Sequence, residues 1–202
     1  MHYERGVIGQ LGNFSLDLTR TPADFAEARQ LRDEIYRAKL GLDTRRLHQD
    51  YVRDRTGYLF LLKERGVLVG TGRVMRTSSP LCEMRTLGHL PLHLHRDTGM
   101  CEVGRLATRK RVGGIPNSLV MLCLGARWLL HHTDLQRYVA YARVPMLWLY
   151  QQVGAADLGT RFTIPDRGAA EYAVILGKLA DAAALVDRLD AGIAGRTPSE
   201  AR

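Results

Sequence analysis

Short runs of aliphatic and aromatic residues, bounded by turn residues, predict a series of β-strands along this chain. The clearest pair is 58–64 (YLFLLKE) and 67–75 (VLVGTGRVM), which flank Arg65-Gly66 and predict a hairpin. The other predicted strands are 11–19, 101–109, 137–143, 160–164 and 171–177.

Helical patterns alternate with these strands. Thr21 as N-cap, Pro22 at the first helical position and Gly41 as the stop predict a helix over 22–40. Its buried stripe is expected to contain Ala28, Leu31, Ile35 and Ala38. Further helices are predicted over 116–132, 144–154 and 178–193.

Two segments show no defensible period. Residues 42–57 are polar and charged and predict a long functional or mobile loop, and 78–99 predict a short helix with loops. The alternation of strands and helices, with an early hairpin, indicates an α/β (α+β) protein with a mixed sheet covered by helices on both faces.

Composition is that of one globular domain. The chain has 202 residues, 46% hydrophobic and 25% charged, which is enough to bury a core without metal or disulfide staples. We expect a single domain over 1–194 and a flexible tail over 195–202. Cys82, Cys101 and Cys123 form no CxxC motif, which favours free thiols in a reducing compartment and therefore the cytoplasm.

The sequence predicts neither a signal peptide nor a transmembrane segment, because Arg127 interrupts the longest apolar region before it could span a bilayer. The net charge of +8 favours an anionic partner. Basic residues are not grouped in blocks interleaved with aromatics, which disfavours nucleic acid.

The stretch CEVGRLATRKRVGG (101–114) carries the most chemistry. Glu102 and Arg105 lie three positions apart on a predicted strand, and the basic turn that follows contains Gly113 and Gly114 and leads into a helix. A helix N-terminus after such a turn presents free backbone N–H groups and a positive dipole end, which suit a phosphate or pyrophosphate. A solvated basic turn with glycines for tight geometry remains the alternative.

This turn resembles the cofactor loop of the GCN5-related acyltransferase superfamily, whose signature is Q/R-x-x-G-x-G/A. Arg111 and Gly114 match the signature, and Pro116 departs from it, which favours a phosphopantetheine arm over a whole coenzyme A. The resemblance implies that the acyl carrier is held by Arg109, Lys110, Arg111, Gly113 and Gly114.

Residues 17–165 also resemble the autoinducer (acyl-homoserine-lactone) synthases and the related N-acyl amino acid synthases. The matching positions, in order, are Arg32, Tyr36, Asp50, Asp54, Arg73, Glu102 and Arg105. Leu42 stands where the autoinducer enzymes have tryptophan, and Asp50 and Asp54 are spaced by four residues instead of three. These differences favour the N-acyl amino acid synthase branch.

The resemblance implies a GCN5-related N-acyltransferase fold with a mostly antiparallel, splayed sheet. It implies transfer of a fatty acyl group from the phosphopantetheine thioester of acyl carrier protein, or from acyl-coenzyme A, to the α-amine of an amino acid or derivative. No permanently bound cofactor is expected. The rivals are an S-adenosylmethionine-dependent autoinducer synthase, an acetyl-coenzyme A N-acetyltransferase, and an acyl-binding module without activity.

Within this reading, Glu102 is the candidate general base, and the backbone N–H of Leu106 or Ala107 is the candidate donor to the thioester oxygen. Strand alternation places Glu102 and Gly104 on one face and Arg105 on the other, unless a bulge intervenes. The resemblance implies such a bulge, which Gly104 would permit. The alternative for Glu102 and Arg105 is an ion pair that only braces the turn.

By the same resemblance, Arg32, Asp50, Asp54 and Arg73, with Tyr36, form a polar network that orders residues 42–57 over the acceptor. An arginine of this set could instead bind the acceptor's carboxylate.

The histidines, the apolar segments and the basic turn each have a separate interpretation. His93 and His95 form an HxH pair near His89, but the pair has no third ligand at a metal-binding spacing, so no metal site is predicted. The apolar residues of 119–129 are expected in the core, and part of 144–150 could line an acyl tunnel. Arg109, Lys110 and Arg111 are expected to form the rim that attracts the acidic carrier protein.

Overall fold

A computed structural model of the chain describes residues 6–41, 48–111 and 114–194. Its strands are β1 (Val7–Leu11), β2 (Phe14–Leu18), β3 (Tyr58–Glu64), β4 (Val67–Arg76), β5 (Met100–Thr108), β6 (Arg137–Arg143), β7 (Ala156–Thr163) and β8 (Glu171–Lys178). Its helices are α1 (Pro22–Leu40), α2 (His48–Thr56), α3 (Glu83–Thr86), α4 (Asn117–His132), α5 (Leu147–Gln151) and α6 (Leu179–Ala194). Single 3₁₀ turns lie at Leu92–Leu94, Val144–Met146 and Pro165–Arg167.

The strands form one sheet in the order β1-β2-β3-β4-β5-β6-β8-β7. Every neighbouring pair is antiparallel except β5 and β6, which are parallel. The mixed, mostly antiparallel sheet expected from the sequence is therefore present.

Helices cover both faces of the sheet, as the alternation of elements predicts. On one face α4 packs across β1 to β5 and against α6, and Leu124, Leu129 and Val186 belong to this main core. On the other face α1 packs over β4 and β5, with Ala28, Leu31 and Ile35 buried as expected. Ala38 is instead exposed, so the buried stripe of α1 does not include it.

The sequence signals at the ends of α1 are confirmed. Thr21 accepts a hydrogen bond from the Asp24 backbone, Asp24 accepts one from the Thr21 backbone, and Gly41 ends the helix with a φ of 62°. This capping box satisfies N–H groups that would otherwise have no partner.

Two predictions of local structure were wrong. Residues 48–56 form helix α2 rather than a loop, because its inward face carries Asp50, Arg53 and Asp54, and a polar inward face gives no hydrophobic period. The predicted strand 11–19 is the end of β1, a turn at Gly12-Asn13 and β2, and the polar Gln10 obscures β1 in the sequence. Residues 42–47, including Leu42, and the predicted tail 195–202 lie outside the described residues.

In the described ranges, no helix is both long and apolar enough to cross a membrane. Cys82, Cys101 and Cys123 are all buried free thiols, as expected from their spacing.

Candidate active site

A cleft opens in the sheet where β5 and β6 separate. The two strands pair only from Met100–Arg137 to Glu102–Val139, and each then continues without the other. Residues 104–108 of β5 and 141–143 of β6 line the resulting cleft of about 240 Å³. Successive residues of a strand direct their N–H groups to opposite sides, so alternate residues of β5 direct theirs into this gap.

A β-bulge lies at the base of the gap. Arg73 of β4 pairs with Gly104 and Thr71 with Ala107, so β5 has one more residue than β4 across this interval. The bulge implied by the resemblance is confirmed, but the residue in the left-handed conformation is Arg105, with a φ of 54°, rather than Gly104. Such a conformation costs a non-glycine residue about 1–3 kcal/mol, which surrounding contacts must offset.

The bulge brings Arg105 to the same face of the sheet as Glu102. Arg105 contacts Glu83, whereas Glu102 contacts Cys82 and Met84 on either side of Glu83. The Glu102–Arg105 ion pair considered from the sequence is not formed among the described residues.

The lining of the cleft is aromatic, aliphatic and cationic. Three arginines from three different elements contribute, namely Arg105, Arg143 and Arg167, with the tyrosines Tyr36, Tyr141, Tyr150 and Tyr172. Met146 and Leu149 of the predicted 144–150 segment also line it. Within the part of the chain that the structure describes, no carboxylate contributes to this lining.

Behind this lining lies a buried cluster of ion pairs centred on Glu83. Its carboxylate accepts hydrogen bonds from Arg105 at 2.8 Å, from Arg73 at 3.2 Å and from Arg167. Asp50 in turn accepts from Arg105 at 3.1 Å and from Arg73 at 3.2 Å. These contacts hold Arg105 in its left-handed conformation.

The cluster continues from Asp50 into helix α1. Arg32 binds Asp54 through two hydrogen bonds of 2.8 and 3.2 Å, and Arg73 also reaches Asp54 at 3.3 Å. Arg32, Asp50, Asp54 and Arg73 are thus brought together as one network, and of the five predicted substrate residues only Tyr36 lines the cleft.

Arg53 fastens α2 to the segment that carries Glu83. It donates to the Leu81 carbonyl at 3.0 Å and to the Thr86 hydroxyl at 2.9 Å, and its guanidinium lies 4.0 Å from Glu83. Helix α2 is therefore positioned mainly by polar contacts, whereas α3 also buries Met84 in an apolar cluster with Leu90.

Glu102 is almost fully buried, with 1% of its surface exposed. It accepts hydrogen bonds from the Cys82 thiol at 2.9 Å and the Met84 backbone at 2.7 Å. Burial raises the pKa of Glu102, and the negative Glu83 nearby raises it further. Glu102 does not itself line the cleft, but its Oε1 lies only 3.3 Å from where a Cβ on Gly104 would stand, and Gly104 does line it.

The basic turn after β5 is partly neutralised by acidic neighbours. Arg109 pairs with Glu34 at 2.8 Å, and Arg111 pairs with Glu64 at 3.0 Å. Lys110 is exposed, and Gly114 has a φ of 69° with the Arg111 guanidinium packed against it. Gly113 lies outside the described residues.

Sequence reasoning missed four charged residues of the site: Arg53, Glu83, Arg143 and Arg167. Arg167 lies in a PDRG stretch that resembles an ordinary surface turn, and Glu83 follows a cysteine in a segment without a period. The hydrogen-bond partners of the Glu83 carboxylate lie 10 to 84 positions away in the sequence, and Arg167 is the most distant of them, so no local pattern identifies either residue. The only available signal was an acid beside buried-type residues in LCEM.

The remaining expectations concern histidines and the core. His89 stacks on Phe162 and His95 hydrogen-bonds the Leu90 carbonyl, and no group of potential metal ligands was found within the described ranges. Leu119, Leu124 and Trp128 are buried in the main core, as predicted. Met121 and Leu129 also border a small apolar cavity of about 30 Å³ beneath the sheet.

No protein-family model matches the sequence, and no curated protein matches it either. Several solved structures are similar to this chain. FeeM, an N-acyl amino acid synthase from uncultured soil microbes, is similar with a TM-score of 0.65 and 14% identity, over 84% of this chain and 92% of that chain. The acyl-homoserine-lactone synthase LasI gives 0.61 and 18%, over 82% and 90%. A putative N-acetyltransferase from Lactobacillus plantarum gives 0.61 and 14%, over 82% and 98%.

Each of these likenesses covers 82–84% of the chain. The chain has the GCN5-related N-acyltransferase fold that its sequence predicts.

Proposed function

We propose that the protein is an N-acyltransferase that moves a fatty acyl group from a carrier-bound thioester to the α-amine of an amino acid or amino acid derivative. The observation that carries this proposal is the cleft between β5 and β6, lined by a bulged strand on one side and by tyrosines and arginines on the other. The likeness to FeeM supports the choice of reaction.

The splayed strand suits a pantetheine thioester. A pantetheine arm carries amide groups that can pair with an unpartnered strand edge, and the gap beside Gly104–Thr108 offers such an edge. The backbone N–H of Leu106 or Ala107, next to the bulge, would donate to the thioester oxygen as it gains negative charge. Removing one donor of this kind typically slows a reaction about 10²- to 10³-fold.

Glu102 is the proposed base. An α-amine with a pKa of roughly 8 is about one tenth neutral at pH 7, so a modest base is sufficient. Because a glycine separates Glu102 from the cleft, a water beside Gly104 could pass a proton from the attacking amine to the carboxylate. A raised pKa brings Glu102 closer to the operating pH, which suits a general base.

Met146, Leu149 and Tyr150 form the proposed start of the acyl pocket. Each buried methylene of the acyl chain contributes about 0.8 kcal/mol, so apolar lining next to the thioester selects longer chains over acetyl.

The donor is proposed to be an acyl carrier protein rather than coenzyme A. The net charge of +8 attracts an acidic partner, and Lys110 is an exposed cation in the turn that follows β5, one of the strands lining the cleft.

The purified protein should be incubated with a panel of amino acids and either acyl carrier protein thioesters or acyl-coenzyme A of several chain lengths, with products identified by mass spectrometry. We expect N-acyl amino acids, formed with a higher kcat/KM from the carrier protein. Release of methylthioadenosine with S-adenosylmethionine would instead identify an autoinducer synthase. Transfer of acetyl alone would identify an N-acetyltransferase, and binding without transfer an inactive module.

Salt dependence separates the two donors. Raising ionic strength from about 20 to 200 mM should lower kcat/KM with acyl carrier protein more than kcat/KM with a small pantetheine thioester, because screening weakens long-range attraction.

A charge reversal tests whether the carrier protein docks at the turn. Lys110→Glu should lower kcat/KM with acyl carrier protein. Lys178→Glu changes the net charge equally at the opposite end of the sheet and serves as the matched control. Equal losses in both variants would contradict docking at the turn.

A further inference from the structure

Arg143 stands apart from the other arginines of the cleft. It is the last residue of β6 and lines the cleft, and its Nε is buried without a hydrogen-bond partner. Among the described residues, no carboxylate forms an ion pair with it. A buried guanidinium N–H without a partner costs free energy, so this side chain is suited to bind a ligand that supplies an acceptor.

The other two arginines of the cleft are already compensated by the protein. Arg105 binds Asp50 and Glu83, and Arg167 binds Glu83 and the Tyr141 hydroxyl at 2.8 Å. Arg143 alone among the three has a guanidinium free for an anion.

The surrounding charge also favours an anion. The buried cluster contains five arginines against three aspartates and glutamates with direct ion pairs: Arg32, Arg53, Arg73, Arg105 and Arg167 against Asp50, Asp54 and Glu83. Five minus three leaves an excess of two positive charges close to the cleft before Arg143 is counted, and an ionised Glu102 beside Glu83 reduces that excess to one. At low dielectric such an excess acts over several ångströms.

The place of Arg143 on β6 indicates that its ligand belongs to the amine acceptor. Tyr141 and Arg143, two residues apart on β6, direct their side chains to the same face of the sheet, which is the face of Glu83. Glu102 stands opposite Val139, and Arg143 lies four residues further toward the open end of the splay. An α-amino acid whose amine approaches Gly104 would therefore extend its carboxylate along β6 toward Arg143.

We propose that Arg143 binds the carboxylate of the amine acceptor, so that the substrate class is free α-amino acids and not their amides or other amines. This inference rests on the proposed N-acyl transfer. A guanidinium binds a carboxylate through two parallel hydrogen bonds, and the unpartnered Nε–H of Arg143 supplies one of the fixed donors. A phosphate of the acyl donor presents the same chemistry and is the competing source of an anion.

The first test compares each accepted amino acid with its amide. The wild-type enzyme should prefer the acid in kcat/KM by about 10- to 100-fold, the range expected for a charge-assisted pair. Arg143→Gln should raise KM for the acid by a similar factor, leave KM for the amide nearly unchanged, and change kcat little. Arg143→Lys should recover part of the preference. Arg161→Gln, an exposed arginine on β7, is the matched control.

The second test measures binding without any acyl donor. Isothermal titration with each amino acid of the panel should show at least one whose binding Arg143→Gln abolishes and Arg161→Gln retains. If transfer is never observed but this Arg143-dependent binding is, the proposed function fails and the carboxylate site stands. If transfer occurs and the variant keeps its acid preference, the carboxylate site fails and the function stands.

If Arg143 binds a phosphate of the acyl donor instead, the kinetic result is different. A rise in KM for the acyl thioester, with acceptor KM unchanged, would assign Arg143 to a phosphate and overturn the proposal. A wild-type enzyme that uses amides as well as acids would overturn it even if every Arg143 variant failed to fold.

Discussion

Glu83 and Glu102 lie close together in the core, and the pKa values of their carboxyl groups shift in opposite directions. Burial alone would raise the pKa of Glu83, but Arg105, Arg167 and Arg73 together lower it to about 2. Burial raises the pKa of Glu102, to which no arginine in the described ranges is hydrogen-bonded, and the charge on Glu83 adds to the rise. One carboxylate is therefore fixed as a structural anion while the other can exchange a proton.

The role of Glu102 can be tested by its pH profile. Removing the base with Glu102→Gln should lower kcat about 10²- to 10⁴-fold and abolish the acidic limb of the profile. Cys82→Ala removes a hydrogen bond that lowers the pKa of Glu102, so its acidic limb should shift to higher pH while kcat at the plateau is largely kept.

Cys82→Ser is the matched control, because serine can donate the same hydrogen bond. An unchanged limb in Cys82→Ala, or full turnover in Glu102→Gln, would remove Glu102 from the chemistry.

At the scale of elements, the sequence predicted those whose packing is apolar. β3, β4 and α4 follow their hydrophobic patterns because each places an aliphatic or aromatic side against the core. Helix α2 was missed because its packed side binds through Asp50, Arg53 and Asp54, and the partners of those charges are set by the tertiary structure.

The site was predictable to the extent that its residues match a family pattern in order. Arg32, Asp54 and Arg73 were placed in one network in this way. Glu83 and Arg167 were not, because each is recognisable only through partners distant in sequence. The bulge was expected, but the hydrogen bonds that allow a non-glycine residue at Arg105 could not be deduced from the strand alone.

The pairing of β6 with β8 depends on a close approach between Tyr138 and Gly177, which face each other in the register. A Cβ on Gly177 would lie 2.5 Å from the Tyr138 ring, closer than real contacts permit. Gly177→Ala should therefore reduce the free energy of unfolding by about 1–3 kcal/mol, the usual cost of overpacking. Urea denaturation followed by circular dichroism measures this change.

Gly125 in α4 provides the matched control for this substitution. A Cβ there would meet its nearest neighbour, Phe60, at 3.9 Å, which is an ordinary contact. Gly125→Ala should leave stability unchanged or raise it by up to about 1 kcal/mol, because alanine is the better helix former. Equal effects of the two substitutions would show that the strand contact is not the cause.

At the scale of the whole molecule, the buried cluster joins α1, α2, α3, β4, β5 and the turn at Arg167 through charges. Such a cluster is not by itself strongly stabilising, because removing the charges from water costs free energy that the ion pairs only partly return. Loss of a single member is nevertheless severe, since its partners are then buried without compensation.

This reasoning gives a pH dependence of stability with a definite sign. Because the pKa of Glu83 is about 2 in the folded protein and its ordinary value is 4.5, Glu83 contributes about 3 kcal/mol that is fully present above pH 4.5 and is lost as the pH falls toward 2. Glu102 has a raised pKa and the opposite sign, so its contribution is present below pH 4.5 and is lost as the pH rises through its folded value.

Glu83→Gln should therefore be less stable than the wild type by about 3 kcal/mol at pH 7, and the difference should shrink steadily below pH 4.5. Urea unfolding at a series of pH values measures it, with the exposed Glu171→Gln as a control whose difference from the wild type stays small throughout. A Glu83→Gln deficit that persists unchanged to pH 3 would mean that lost shape, and not lost charge, causes it. The arginines around Glu83 would then be held by geometry alone, and Arg105 could keep its left-handed conformation without a charged partner.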